Sequence, residues 1–235
     1  MVSRRGFILT AGALCAAATA ARAGDEADSC VVFTRDMQAA ITPEQALQLL
    51  REGNARFVAG KTIHCDPVEQ VRAGTAGQAP FAAVVGCIDS RVPPELVFDQ
   101  HLGSILSARI AGNFVNTDII GSLEFSCKVL GAKAIVVLGH SDCGAIKGAI
   151  DHVEFGNVTA LLENIALAVA ATASDGARTS KDKPFVQAVA DTNAKLAAAA
   201  ILDRSPLLKE MADNKQIAVV SAMQDLATGK VTFFT

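Results

Sequence analysis

Short unbroken apolar runs alternate with longer amphipathic stretches along this chain. Phe81-Ala82-Ala83-Val84-Val85, Ala134-Ile135-Val136-Val137-Leu138 and Ile217-Ala218-Val219-Val220 are rich in β-branched side chains and bounded by polar residues or glycine. Runs without polar alternation fit strands buried on both faces of a parallel sheet. Residues 104–110 supply another strand, ending in the polar turn Ala111-Gly112-Asn113. Residues 231–234, after Thr228-Gly229, supply a last strand, expected antiparallel at an edge. Helical patterns fill the intervals. Thr42-Pro43-Glu44 gives a cap and a first-turn proline to a helix carrying Leu47, Leu49, Leu50 and Phe57, with Gly53 as an interruption. Pro93-Pro94-Glu95 opens a short helix to Phe98, and Thr117 or Asp118 caps one that runs to Leu130 and stops at Gly131. A further helix begins near Cys143, Ala-rich helices occupy 157–172 and 185–203 around a polar loop at 174–183, and Ser205-Pro206 starts another. Residues 24–40 read as an extended arm or coil, and 61–80 as mostly loop with one short helix. The alternation predicts an α/β fold: a central, mostly parallel four-stranded sheet with an extra edge strand, flanked by helices.

Composition narrows this picture. A length of 235 residues suits one domain, and 51% apolar residues with only 5% aromatics excludes an aromatic-rich β-sandwich. Residues 1–23 stand apart from the rest. Ser3-Arg4-Arg5-Gly6-Phe7-Ile8, an apolar stretch to Ala20 and the small residues of Ala21-Arg22-Ala23 resemble a twin-arginine export signal cleaved after Ala23. The expectation is a single domain over 24–235, periplasmic or secreted. A membrane anchor is the competing reading, but about 14 apolar residues fall short of the roughly 20 that span a bilayer. No stable membrane anchor is expected. Removing the signal takes away three arginines and no acid, so the formal charge moves from −3 to about −6. No basic patch interleaved with aromatics exists, which excludes nucleic-acid binding as a class.

The candidate chemistry sits directly after two of the apolar runs, in Gly86-Cys87-Ile88-Asp89-Ser90-Arg91 and Gly139-His140-Ser141-Asp142-Cys143-Gly144. Ligands collect beyond the carboxyl ends of strands in open α/β sheets. Cys87, His140 and Cys143 therefore meet at one end of the sheet, where two thiolates and an imidazole offer three ligands to zinc and leave a fourth position open. Asp89 can take that fourth position, or pair bidentately with Arg91 and leave it to water. Among the other cysteines, Cys15 leaves with the signal and Cys127 reads as a small buried hydrophobe. An oxidising compartment permits a Cys30–Cys65 disulfide, which spacing alone does not fix.

At these residues the chain resembles a β-class carbonic anhydrase, which carries a C-x-D-S-R segment and an H-x-x-C segment. The likeness extends through Val92-Pro93-Pro94-Glu95, Arg109-Ile110-Ala111-Gly112-Asn113, Gly121-Ser122-Leu123-Glu124 and Asp225-Leu226-Ala227-Thr228-Gly229-Lys230-Val231. It implies one zinc per chain on Cys87, His140 and Cys143, with Asp89 a ligand only in a closed state. It implies Asp89 and Arg91 as the catalytic dyad, and reversible hydration of carbon dioxide to bicarbonate as the reaction. Gln78 matches a substrate-binding glutamine, and Phe114 and Phe125 are expected as apolar walls of the substrate pocket, Phe125 standing where the family commonly has Tyr. Val84 replaces a tryptophan that some relatives use to hold an inhibitory bicarbonate, so that closure is expected to be absent or altered. Family members are dimers or larger, with an N-terminal helical arm crossing to the partner. Two rivals remain: hydrolysis of carbonyl sulfide or carbon disulfide on the same scaffold, and a non-catalytic zinc-binding periplasmic protein.

Overall fold

The apolar runs become β1 (Ala82–Gly86), β2 (Ile105–Arg109), β3 (Ala134–His140) and β4 (Ala218–Gln224), with β5 (Val231–Phe233) after them. The computed structural model describes residues 30–234, so the export signal expected over 1–23 lies outside the described residues. The strands form one sheet in the order β2-β1-β3-β4-β5. The first four are parallel and β5 pairs antiparallel with β4. This is the expected sheet, edge strand included.

β1 and β3 are buried along their whole length. Ala83, Val85, Ile135 and Val137 face one apolar layer, while Ala82, Val84, Val136 and Leu138 face another. Burial on both faces is why these strands read as continuous apolar runs. The second layer is roofed by α2 (Pro43–Val58) through Ala46, Leu47 and Leu50. The first is covered mainly by α9 (Lys183–Arg204), whose Val189, Ala194 and Ile201 are buried. Thr42 caps α2 through a reciprocal pair of bonds with Gln45.

The helical expectations need four corrections. The arm is not coil throughout: α1 (Arg35–Ala40) forms on a Thr34 cap. Its buried Gln38 donates to Pro80 O at 2.6 Å and Leu130 O at 2.8 Å, a tertiary tie that propensity does not register. Gly53 does not interrupt α2, because a Cβ there would lie 1.7 Å from Phe98 O: the glycine permits close packing. The helix expected up to Leu130 is α5 (Thr117–Glu124) capped by Asn116, continued by a π turn over Phe125–Val129. The helix expected over 157–172 splits into α7 (Gly156–Glu163) and α8 (Ala166–Ala171). At the break the Asn164 side chain bonds back to Ala160 O and Leu161 O, competing with the backbone ladder.

The remaining helices are short. α3 (Pro67–Ala73) lies in the loop before β1, and α4 (Pro94–Val97) follows the first candidate segment. α6 (Gly144–Ile150) starts right after Cys143, and α10 (Pro206–Asp213) precedes β4. Cys30 and Cys65 form a disulfide that staples the arm to the loop before α3. No helix among the described residues is long and apolar enough to cross a membrane.

Candidate metal centre

Strand register sets the site. Gly86 pairs with Leu138, so Cys87 leaves β1 where β3 is reaching Gly139 and His140. Cys143 sits at the N-terminal boundary of α6, after a turn in which Asp142 takes φ 58°. The Asp142 side chain pairs with Lys147, which holds its carboxyl below the usual range and fastens the turn to α6. The ligand atoms of Cys87, His140 and Cys143, all buried, lie within 4.8 Å of one another. The two sulfurs are 4.0 Å apart.

Each ligand is held by its neighbours. Cys87 Sγ accepts the Gly112 N–H at 3.4 Å. Gly112 has φ +80°, and a Cβ would meet Ile165 Cδ1 at 2.5 Å, so a side chain there would strain the turn that brings this N–H to the sulfur. His140 Nδ1 lies 2.9 Å from Ser141 O, and since a carbonyl only accepts, Nδ1 carries the proton. The acceptor nitrogen is then Nε2, which is buried and has no hydrogen-bond partner.

The titration of the bare cluster follows from this crowding. A hydrogen bond from the Cys143 thiol, opposed by burial and aided by His140 and the Gly112 and Asp89 N–H groups, pulls Cys87 far below an ordinary thiol. The same bond, then burial and the charge on Cys87, pushes Cys143 upward. Burial lowers His140, but Cys87, the Ser141 carbonyl and the charge of Asp89 outweigh it and the net direction is up. A divalent cation bound there would require both thiols in the thiolate form.

Zinc fits this donor set. Tetrahedral coordination with metal–sulfur bonds near 2.3 Å puts two sulfurs about 3.8 Å apart, close to the 4.0 Å here. The orphaned Nε2 is the third donor, and its opposite ring nitrogen is already committed, the usual arrangement for a metal-binding histidine.

Asp89 and Arg91 form a bidentate pair, Nε to Oδ1 at 2.9 Å and Nη2 to Oδ2 at 2.7 Å, with the Arg91 N–H also reaching Oδ1 at 3.0 Å. These bonds hold the Asp89 carboxyl well below the carboxylate range. Its Oδ2 lies 3.9 Å from His140 Nε2, so the ionised carboxylate borders the ligand atoms. Arg109 opens the 109–113 motif that carries part of the family likeness. It donates to Cys87 O at 2.8 Å and Asp89 O at 2.5 Å, bracing both residues from β2. Asn193 on α9 donates to Gly112 O at 2.7 Å, a tie with no local signal in the sequence.

The other expected site residues are divided. Gln78 and Phe125 line one groove of about 740 Å³ along β2 and α5, a lining that contains none of the three ligands. Phe125 is exposed, whereas Phe114 is buried just beyond the Asn113 turn.

Comparison with known proteins agrees with the geometry. The family model described as carbonic anhydrase matches residues 82–231. Carbonic anhydrase 2 of Mycobacterium tuberculosis is 35% identical over 194 residues, covering 80% of this chain and 91% of the relative. The carbonic anhydrase of Mycolicibacterium smegmatis is 43% identical over 117 residues, 49% of this chain and 57% of that one. Among solved structures, a tetrameric β-carbonic anhydrase from Sordaria macrospora aligns with a TM-score of 0.61 at 24% identity, over 70% of this chain and 85% of its own. The β-carbonic anhydrase CcaA aligns at 0.64 and 20% identity, over 81% and 92%. These two support the fold alone. With its family match, its relatives and its sheet in accord, the chain belongs to the β-class carbonic anhydrase family, zinc enzymes that hydrate carbon dioxide reversibly to bicarbonate.

Proposed function

We propose that Cys87, His140 and Cys143 hold one zinc ion per chain, and that Asp89 and Arg91 orient the water that adds to carbon dioxide. Zinc bound there supplies the Lewis acidity that makes a water nucleophilic near neutral pH. The single observation that carries the reading is the buried, partnerless His140 Nε2 facing two sulfurs on one side and an ionised Asp89 on the other.

The chain's own groups then have distinct tasks. Arg91 keeps Asp89 charged and, by occupying both carboxylate oxygens, holds it back from the ligand cluster. Asp89 accepts a hydrogen bond from the attacking water and so keeps a lone pair aimed at carbon. Arg109 fixes the backbone on which both depend. Phe114, Phe125 and Gln78 are the substrate-facing residues of this proposal; Gln78 and Phe125 line the groove along β2 and α5, apart from the three ligand residues.

Assembly and location belong to the same proposal. Among the described residues β2 ends the sheet with one edge unpaired, and the exposed apolar side chains Phe125 and Val129 lie on the neighbouring π turn. A second copy covering this face makes a homodimer or larger assembly and shields the groove that Gln78 lines. Export to the periplasm by the twin-arginine signal suits the Cys30–Cys65 disulfide, which an oxidising compartment preserves.

The test is stopped-flow hydration of carbon dioxide by purified residues 24–235, with zinc content measured on the same sample. Hydration that scales with zinc, at about one ion per chain, is the expected result. Sedimentation at a single-chain mass would contradict the assembly, and retention of the unprocessed chain in the cytoplasm would contradict export.

A further inference from the structure

The segment from Asp225 to Val231 follows the family pattern, yet none of its side chains belongs to the ligand group. Its role follows from Ser141, which stands between the ligands His140 and Cys143. The Ser141 carbonyl accepts the His140 Nδ1 proton. Its N–H donates to Gln224 O at 2.8 Å, and its Oγ accepts the Leu226 N–H at 2.9 Å. Two of these three partners belong to the passage from β4 into β5.

That passage is itself fixed. Asp225 Oδ1 accepts the Ala227 N–H at 2.8 Å and Oδ2 accepts the Thr228 hydroxyl at 3.0 Å. The Gly229 N–H closes onto Asp225 O at 2.7 Å. Asn54 on α2 then ties the turn to the body of the protein. Its Oδ1 accepts the Val231 N–H at 2.8 Å, and its Nδ2 donates to Gly229 O and Val97 O at 3.0 Å each. A continuous set of bonds runs from α2 through the turn and Ser141 to the imidazole.

We propose that Ser141 is a positioning residue of the metal centre, held in place by the β4–β5 turn, so that seating the metal depends on the last strands of the chain as well as on the two ligand loops. The proposal rests on the zinc reading of Cys87, His140 and Cys143. The backbone bond to Gln224 O extends the parallel ladder and is open to any residue except proline. The hydroxyl is what serine adds. Without it the Leu226 N–H loses its acceptor, and the Ser141–Asp142 peptide keeps only the Ser141 N–H bond to Gln224 O and the Asp142–Lys147 pair to resist turning. The carbonyl that fixes the proton on Nδ1 turns with that peptide, and Nε2 is then less well aimed.

The test uses residues 24–235 as wild type, Ser141→Ala, Ser141→Thr and Leu226→Pro, the last removing the donor from the turn side. Zinc affinity is read by competition with a chromophoric chelator, and ligand geometry by the absorption spectrum of the cobalt(II) form. Ser141→Ala is expected to lose about tenfold or more in zinc affinity and to shift the cobalt spectrum. Ser141→Thr, which keeps the hydroxyl, recovers most of that loss, and Leu226→Pro weakens binding in the same direction. Wild-type affinity and an unshifted spectrum in Ser141→Ala overturn the proposal. So does a lowered melting temperature with zinc affinity unchanged, or an equal loss in Ser141→Thr. A wild-type chain that binds no zinc defeats the underlying metal reading, and does so before any variant is compared.

Discussion

Among the described residues, three buried side-chain atoms at the carboxyl end of the parallel strands have no hydrogen-bond partner: Asn113 Nδ2 just beyond β2, His140 Nε2 at the end of β3 and Gln224 Oε1 at the end of β4. At the amino end, among the described residues, the Gln38 side chain and the strand-entry backbone groups are paired. Gln38 bridges Pro80 O and Leu130 O, the Phe81 N–H reaches Ser104 O, and the Lys133 N–H reaches Phe81 O. Each partnerless buried group costs about 1–3 kcal/mol. Of the three, His140 Nε2 belongs to the Cys87–His140–Cys143 cluster, where a bound cation would satisfy it.

This contrast is breakable by substitution. The largest effect is expected at Cys143, where Cys143→Ala should reduce zinc content to near zero and hydration to the background rate. Atomic absorption and stopped-flow on the same sample check it, and an active, zinc-loaded variant would remove Cys143 from the ligands. Next is Asp89→Asn, which keeps zinc but loses the anionic acceptor. A loss of about 100-fold or more in kcat/KM is expected, the scale of a positioned acid–base group, and full activity would take Asp89 out of the reaction.

The amino end should answer in stability and not in chemistry. Replacing both Cys30 and Cys65 by alanine opens a link across 35 positions and should cost about 3 kcal/mol in denaturant unfolding. Gln38→Ala leaves the Pro80 and Leu130 carbonyls without their donor and should cost about 2 kcal/mol. Both variants should keep wild-type zinc affinity and hydration rate. A loss of zinc from either one would mean that the two ends are not independent.

How much of this was legible in the sequence also divides along the sheet. The strands were readable because β1 and β3 are buried on both faces, which forces unbroken apolar runs. The candidate cluster was readable because strand ends deliver Cys87 and His140 to one place whatever lies between them in the chain. What went unread depends on contacts distant in sequence. α1 is a short segment whose hold on the body is Gln38, bonded to carbonyls 42 and 92 positions away. The π turn after α5 exposes Phe125 and buries Ser126 and Cys127, a shift of register that helical spacing does not announce. The Ser141 bond to Leu226 spans 85 positions, and nothing local to either residue signals it.

The most direct measurement is zinc removal and return. Residues 24–235 are stripped with a chelator, titrated with zinc and assayed for carbon dioxide hydration at each addition. The account predicts no hydration without metal and a linear recovery that saturates near one zinc per chain. Hydration that persists in the stripped protein, or a saturated site that does not turn over carbon dioxide, would contradict it.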